Sequence, residues 1–398
     1  MTSSSPIASR YLDLHVLHPV AAANLNRGES GQPKTISLGD VTRGMVSSAA
    51  WKRVTREDME TDLGESAART RMVPLAVADA LREAGWPDDL AQFTAAQIPQ
   101  SAKEGGLKTN PKEGHRTQAM LFLPNDAGAR LLQICIDHRD DLEQALAEQN
   151  TTGKKAPAVL PQAKIAAELI RRTATINLFG RMLAEIPSGH VEGAVQMAPA
   201  FTVHKAGLQP DFFTAVEDWP RPGEHGSAHL ETAFLTAGVF YRFTTVNITT
   251  LTASLHGDSA AAAKLIELFV STFILSMPKG KQTSTAAQTI PDVVYYAVRD
   301  RRPVSFGAAF EQPVTARGQG YTLPARQRLA EYAATIDRLL GTRHRIAHGH
   351  ATAAGKAIDH LGTYHPGFAD LAAESATSAL APATPQPDQA PSGQDSAA

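Results

Sequence analysis

Residues 237–248, AGVFYRFTTVNI, are the most strand-like text in the chain, and together with the segments after them they restrict the fold. β-Branched and aromatic residues dominate there, as they do on a pleated, half-buried surface. An apolar helix, AAAKLIELFVSTFILS, comes next, and a second strand, DVVYYAVR, lies beyond it. Near the start, residues 11–17 alternate Leu12, Leu14 and Val16 with Asp13 and His15, the period of a half-buried strand that Pro19 would end. Strands and helices interleaved in this order predict an α+β fold with a ferredoxin-like or RRM-like sheet. The aromatic stacking signature K/R-G-F/Y-G/A-F-V-x-F/Y is absent, so base stacking on the sheet face in the usual RRM manner is not expected.

A chain of 398 residues, 43% hydrophobic and 20% charged, can bury one large core or two smaller ones. Its formal charge of -2 excludes a uniformly basic nucleic-acid binder and leaves only a localised groove. Residues 24–56, NLNRGESGQPKTISLGDVTRGMVSSAAWKRVTR, are the place for one: Arg27, Lys34, Arg43, Lys52, Arg53 and Arg56 stand there against Glu29 and Asp40. The polar, Gly- and Pro-marked loop would carry Asn26, Arg27 and Lys34 on flexible backbone, and residues 36–46 read as a strand pair turning at Gly39-Asp40. Ser47 and Ser48 then signal a helix start. At about 100° per residue, Lys52, Arg53 and Arg56 share one side and Trp51 and Val54 the other. Free N–H groups and mobile cations suit a phosphate backbone, although a solvated amphipathic helix has the same pattern.

The single cysteine, Cys135 between two isoleucines, excludes an intrachain disulfide and a cysteine-based zinc site, and reads as core. No signal peptide and no apolar run of about 18 residues is found, so the expected compartment is the cytoplasm, away from membranes. From 56 to about 172 the text is mostly helical, with basic, breaker-rich loops. Periodicity stops over residues 177–219, where a protruding hairpin is expected, rich in Phe201, Phe212, Phe213 and Trp219. Adjacent Phe212 and Phe213 cannot both face one core if extended, which leaves one for a partner, and aromatics on an extended arm can stack on bases. Lys279 and Lys281 flank Gly280 in a small basic loop; Leu275 and Gln282 break the phosphate-loop pattern GxxxxGK[ST]. His344, His348 and His350 could approach a divalent metal, since i and i+4 histidines share a helix face, but no nearby carboxylate or cysteine supports a metal site, and no cofactor is implied. From Pro366 onward Ala, Pro, Ser, Thr and Gln predict a disordered tail.

The motifs LDLHVLHPVAAANLNR, GQPK, VSSAAWKR, GRM, FTAVEDW, GSAHLETAFLTAGVFYRF and GKQTSTAA, in this order, resemble the CasC family, the backbone subunit of the type I-E CRISPR Cascade complex. The likeness covers about residues 10–300. It implies a hand-shaped protein with an RRM-like palm, helical fingers and a β-hairpin thumb. Residues 1–58 would begin the palm, 59–188 form the fingers, 189–230 carry a palm strand and the thumb, 231–365 complete the palm and 366–398 form the tail. Several copies would polymerise as a helical filament along one CRISPR RNA (crRNA), with other Cascade subunits, and present it to target DNA for antiviral defence. On that likeness Asn26, Arg27, Lys34, Ser47, Lys52, Arg53 and Arg56 hold the RNA backbone, Arg181 and Met182 lie in a segment against the bases, and Phe212 and Phe213 insert at a flipped nucleotide. Lys279 and Lys281 complete the candidate RNA-binding set.

Three departures fall near the expected RNA path. The family usually has Gly-Gly at Gly39-Asp40, a second Arg at Met45, and Ser-Ser-Gln at Ser47-Ser48-Ala49. Each removes a charge or donor or adds a negative charge, which implies a weaker hold per subunit or a shifted register. The alternative reading is a metal-dependent RNA-cleaving backbone subunit using Asp40; its chemistry needs oriented partners, which the sequence does not show. A protein-binding module without nucleic acid would leave the cations and thumb aromatics unexplained.

Overall fold

The computed structural model describes residues 9–183, 185–216, 219 and 227–382, with backbone alone at Val216 and residues 227–230. The first strand, β1 (Arg10–Ala23), is buried over its whole middle because both faces are covered. Leu12, Leu14 and Val16 pack with Ile266, Phe269 and Phe273 of helix α9 (Ser259–Leu275), whereas Leu17 packs on the other face with Ala325 and Leu329 of helix α11 (Thr322–Leu340). The strand expected to be half-buried is therefore covered on both faces through its middle, and Asp13 and His15 draw partners from within the protein. Asp13 accepts from Arg299 Nε at 3.1 Å and from the Val304 N–H at 2.9 Å.

The remaining strands and helices run in chain order. They are β2 (Thr35–Leu38), β3 (Val41–Val46), α1 (Ser48–Leu63), β4 (Ala67–Thr70), α2 (Val73–Glu83), α3 (Asp88–Ser101), β5 (Thr109–Asn110), β6 (Arg116–Thr117) and β7 (Leu121–Pro124). Then come α4 (Ala127–Asp137), α5 (Arg139–Thr152), α6 (Gln162–Ile170), α7 (Ala174–Phe179), β8 (Val195–Met197), β9 (Ala200–Thr202), β10 (Gln209–Val216), β11 (Ser227–Asn247) and α8 (Ile248–Ser254). After α9 come α10 (Gln282–Thr285), β12 (Val293–Asp300), α11, β13 (Arg345–Thr352), β14 (Thr363–Tyr364) and α12 (Phe368–Leu380).

The main sheet runs β14-β13-β12-β1-β11-β9-β3-β2, and its neighbours are antiparallel except β13 with β14. The strand-rich text at residues 237–247 is the half of β11 that lies in the main sheet, where β11 pairs with β1 from Tyr11↔Asn247 to Ala23↔Thr236. Pro19 does not end β1. The Leu17 carbonyl accepts from Asp292, so by the two-residue repeat the missing Pro19 donor points the same way, past the last pair with β12 at Leu17↔Val293. At the far edge β2 and β3 turn through Gly39 (φ 59°) and Asp40 (φ 57°), both left-handed as a tight hairpin turn requires. A Cβ on Gly39 would meet the Glu311 carbonyl oxygen at 1.9 Å, so only glycine fits there.

The expected helical segment between α1 and β8 has its own core, with Leu81, Leu131, Cys135, Leu142 and Ile165 fully buried. Burial pushes the Cys135 thiol up to about 12, in keeping with its expected core role. The disorder expected from Pro366 onward is corrected by α12. Leu371, Ala372, Ser375, Ala376 and Ala379 are buried on one helical stripe, and the apolar ones join the α9 core. Small side chains let the helix approach closely; a composition poor in large apolar residues concealed the stripe. The part of the expected tail beyond residue 382 lies outside the described residues. No helix among the described residues is long and apolar enough to cross a membrane.

Candidate nucleic-acid interface

The start of α1 gathers two loops. Ser47, in extended conformation, caps the helix by accepting the Ala50 N–H at 3.4 Å, and its own N–H donates to Asn26 Oδ1 at 2.9 Å. Asn26 thus ties the 24–34 segment to the helix, and the Lys34 N–H donates to the Asn26 carbonyl at 2.9 Å. With Arg27 bridged to Pro33, that segment is an ordered hairpin, not the flexible loop its composition predicts. The 278–281 loop lies on it. A Cβ on Gly280 would sit 2.5 Å from the Leu25 carbonyl oxygen and 2.6 Å from that of Asn24, so this close approach requires glycine and brings Lys279 and Lys281 to the hairpin that carries Arg27.

The cations of this face differ in how far they are neutralised. Arg53, three-quarters exposed, pairs with Glu57 at 2.7 Å, and Glu57 also draws Lys279 to 3.6 Å. Arg56 is mostly buried, binds both oxygens of Glu60 at 3.0 Å and donates to the Ala67 carbonyl at 3.0 Å. It secures β4 to α1, so its guanidinium is already engaged within the fold. Lys52 donates to the Val195 carbonyl at 3.3 Å and has no carboxylate partner among the described residues. Burial first, and Arg69 second, lower its pKa. Arg27, Lys34 and Lys281 likewise have no carboxylate partner among the described residues. Trp51 and Val54 are buried on the opposite side, as the periodicity predicts.

Two arginines singled out from the sequence are corrected. Arg43 is fully buried and donates to the carbonyls of Leu38, Thr202, Phe310 and Glu311, clamping the β2–β3 hairpin. Arg181, 3% exposed, donates to the carbonyls of Gly189, Phe122, Arg171 and Ile170, and burial lowers its pKa to about 10. A buried guanidinium with four carbonyl acceptors cannot reach RNA, but it fixes the segment that carries Met182 outward, 80% exposed. The histidine expectation rested on a helix that is absent. His348 and His350 are on β13, His350 bonds the Leu361 carbonyl and the Ile358 N–H, and His344 bonds Asp300.

The first half of β11 leaves the sheet and pairs with β10 as a two-stranded ribbon, with Phe212↔Thr232 and Phe213↔Glu231 in register. Alternation puts the two phenylalanines on opposite faces, and both are exposed, Phe212 at 66% and Phe213 at 39%. Arg69 is a candidate that the sequence did not reveal. It sits on β4 with its guanidinium 5.1 Å from the Phe122 ring centre, exposed and without a carboxylate partner among the described residues. A four-residue strand, AART, is too short to show a period inside helical text.

The chain matches the CT1975-like protein family over residues 12–371. The chain belongs to that family. The likeness to CasC read from the motifs is borne out in this membership and in two solved structures. One, a chain of a "CRISPR RNA-guided surveillance complex, pre-nicking", is 38% identical, covers 93% of this chain and 100% of its own length, and superposes with a TM-score of 0.85. Another, from a "CRISPR RNA-guided surveillance complex", is 32% identical with 92% and 99% covered and a TM-score of 0.75. No curated protein matches.

Proposed function

We propose that this chain is a non-catalytic backbone subunit of a type I-E Cascade effector, copies of which polymerise along one crRNA and display it for pairing with target DNA. The sheet order β12-β1-β11-β9, with α1 and α9 as its helical connections, is read as the RRM-like palm. The α2–α7 segment is read as the fingers and the β10–β11 ribbon as the thumb. The observation that carries the proposal is the gathering of Arg27, Lys34, Lys52 and Lys281, all lacking carboxylate partners among the described residues, around the start of α1. Cations left uncompensated in a protein of net charge -2 suit a polyanion, and repeated spacing along RNA suits many copies of one face. The kinship with chains of RNA-guided complexes supports the same partner.

Asp40 is read as non-catalytic. It stands exposed on the hairpin turn, and no group of three or more metal-binding side chains occurs among the described residues. The test is binding of single-stranded RNA over a range of salt in Mg²⁺. Affinity is expected to fall with a log–log slope of about -0.7 for each phosphate neutralised, with the RNA left whole. A flat slope overturns the RNA reading, and cleavage by wild type that Asp40→Ala abolishes overturns the non-catalytic one.

A further inference from the structure

We infer that Lys52 and Arg69 together form a phosphodiester site at the junction of palm and fingers, where one segment of guide backbone crosses from α1 to β4. The inference rests on the RNA-binding reading above and names a contact within it. Arg56 donates to the Ala67 carbonyl at 3.0 Å, so β4 lies against the cationic side of α1. Lys52 is one turn before Arg56 on that side, and Arg69 is two residues beyond Ala67 on the strand, hence on the same strand face. One aromatic ring orders the cluster: the Arg69 guanidinium is 5.1 Å and that of Arg56 5.6 Å from the centre of Phe122, which pairs with Arg69 across the β4–β7 ladder.

Neutralisation then separates the members. Glu60 compensates Arg56 and also accepts from the Thr175 hydroxyl at 2.9 Å, so this carboxylate is fully engaged. Neither Lys52 nor Arg69 has a carboxylate partner among the described residues. Arg69 is also close enough to contribute, after burial, to lowering the Lys52 pKa. Two uncompensated cations that repel one another become favourable neighbours when an anion lies between them. A guanidinium already stacked on a ring loses little side-chain freedom on binding, and its planar fork matches the oxygens of a phosphate. The neutral amphipathic-helix reading of α1 requires Lys52 to be solvated or paired, and it is half-buried and has no carboxylate partner among the described residues.

The test uses the full chain and an oligouridine, comparing wild type with Arg69→Gln and Arg69→Glu by the salt dependence of binding. Arg69→Gln is expected to reduce the log–log slope by about 0.7, the loss of one phosphate contact. Arg69→Glu supplies Lys52 with a carboxylate and is expected to reduce it by about 1.4, the loss of two. Since Arg69 is exposed and held by a ring face, thermal melting of both variants should match wild type. Wild-type binding with an unaltered slope in both variants overturns this site while leaving the RNA reading intact. Salt-independent binding by wild type overturns that reading itself.

Discussion

Arg242 is fully buried, with its guanidinium 3.7 Å from the centre of the Trp51 ring and 4.4 Å from that of Phe273. It donates to the Phe273 carbonyl in the last turn of α9, where the helix dipole favours a cation, and to His18 Nδ1 at 3.0 Å. One residue thereby joins β11, α9, β1 and the first turn of α1. His18 must stay neutral, since Nδ1 accepts from Arg242 while Nε2 donates to the Thr289 carbonyl at 3.0 Å. Burial first, then the Arg242 charge, lowers its pKa to about 3. Below an unfolded value of about 6.5 the unfolded chain binds a proton that the native protein refuses, so this contribution is full above that pH and is lost as pH falls. His15 shifts in the same direction, whereas Asp13, raised by burial to about 6, works oppositely as pH rises. A comparison between variants isolates one group. The stability gap between wild type and His18→Gln, from urea unfolding, is expected to shrink by about 2 kcal/mol between pH 7 and pH 5. A gap independent of pH would show that His18 takes up a proton in the native protein.

Helix α12 and helix α1 differ in how plainly the sequence announces them. Helix α1 has a serine cap, a tryptophan and an apolar stripe opposite three cations, so its start and faces are readable directly. Helix α12 buries alanine and serine around a single leucine, and a stripe of small residues does not stand out from the Ala-rich text beside it. The β2–β3 turn was readable from Gly39-Asp40, but the persistence of β1 through Pro19 depends on where β12 stops, which is a fact about another strand. Leu371 tests α12 as a structural element. Leu371→Ala removes a fully buried side chain, and a cost of about 2–5 kcal/mol in unfolding free energy is expected by chemical denaturation. A cost under about 0.5 kcal/mol, the range of ordinary surface substitutions, would mean that α12 does not hold the sheet.

Across the whole molecule, the interleaved β–α pattern made the sheet legible, and the helical text between α1 and β8 made a second core legible. The environment of the candidate interface residues was legible only in part. Arg27, Lys34 and Lys52 are without carboxylate partners among the described residues, but Arg43 and Arg181 carry the same charge in the sequence and end beneath the surface with carbonyl partners. Burial of an arginine depends on which carbonyls the fold leaves unpaired, and no local pattern records that. Arg69 joins Lys52 only because β4 docks on α1. The account requires that one chain presents the same face repeatedly to a single polyanion. Native mass spectrometry of the protein on synthetic RNAs of increasing length tests this most directly. The number of copies per RNA is expected to rise in steps as the RNA lengthens; one copy per RNA at every length would contradict the account.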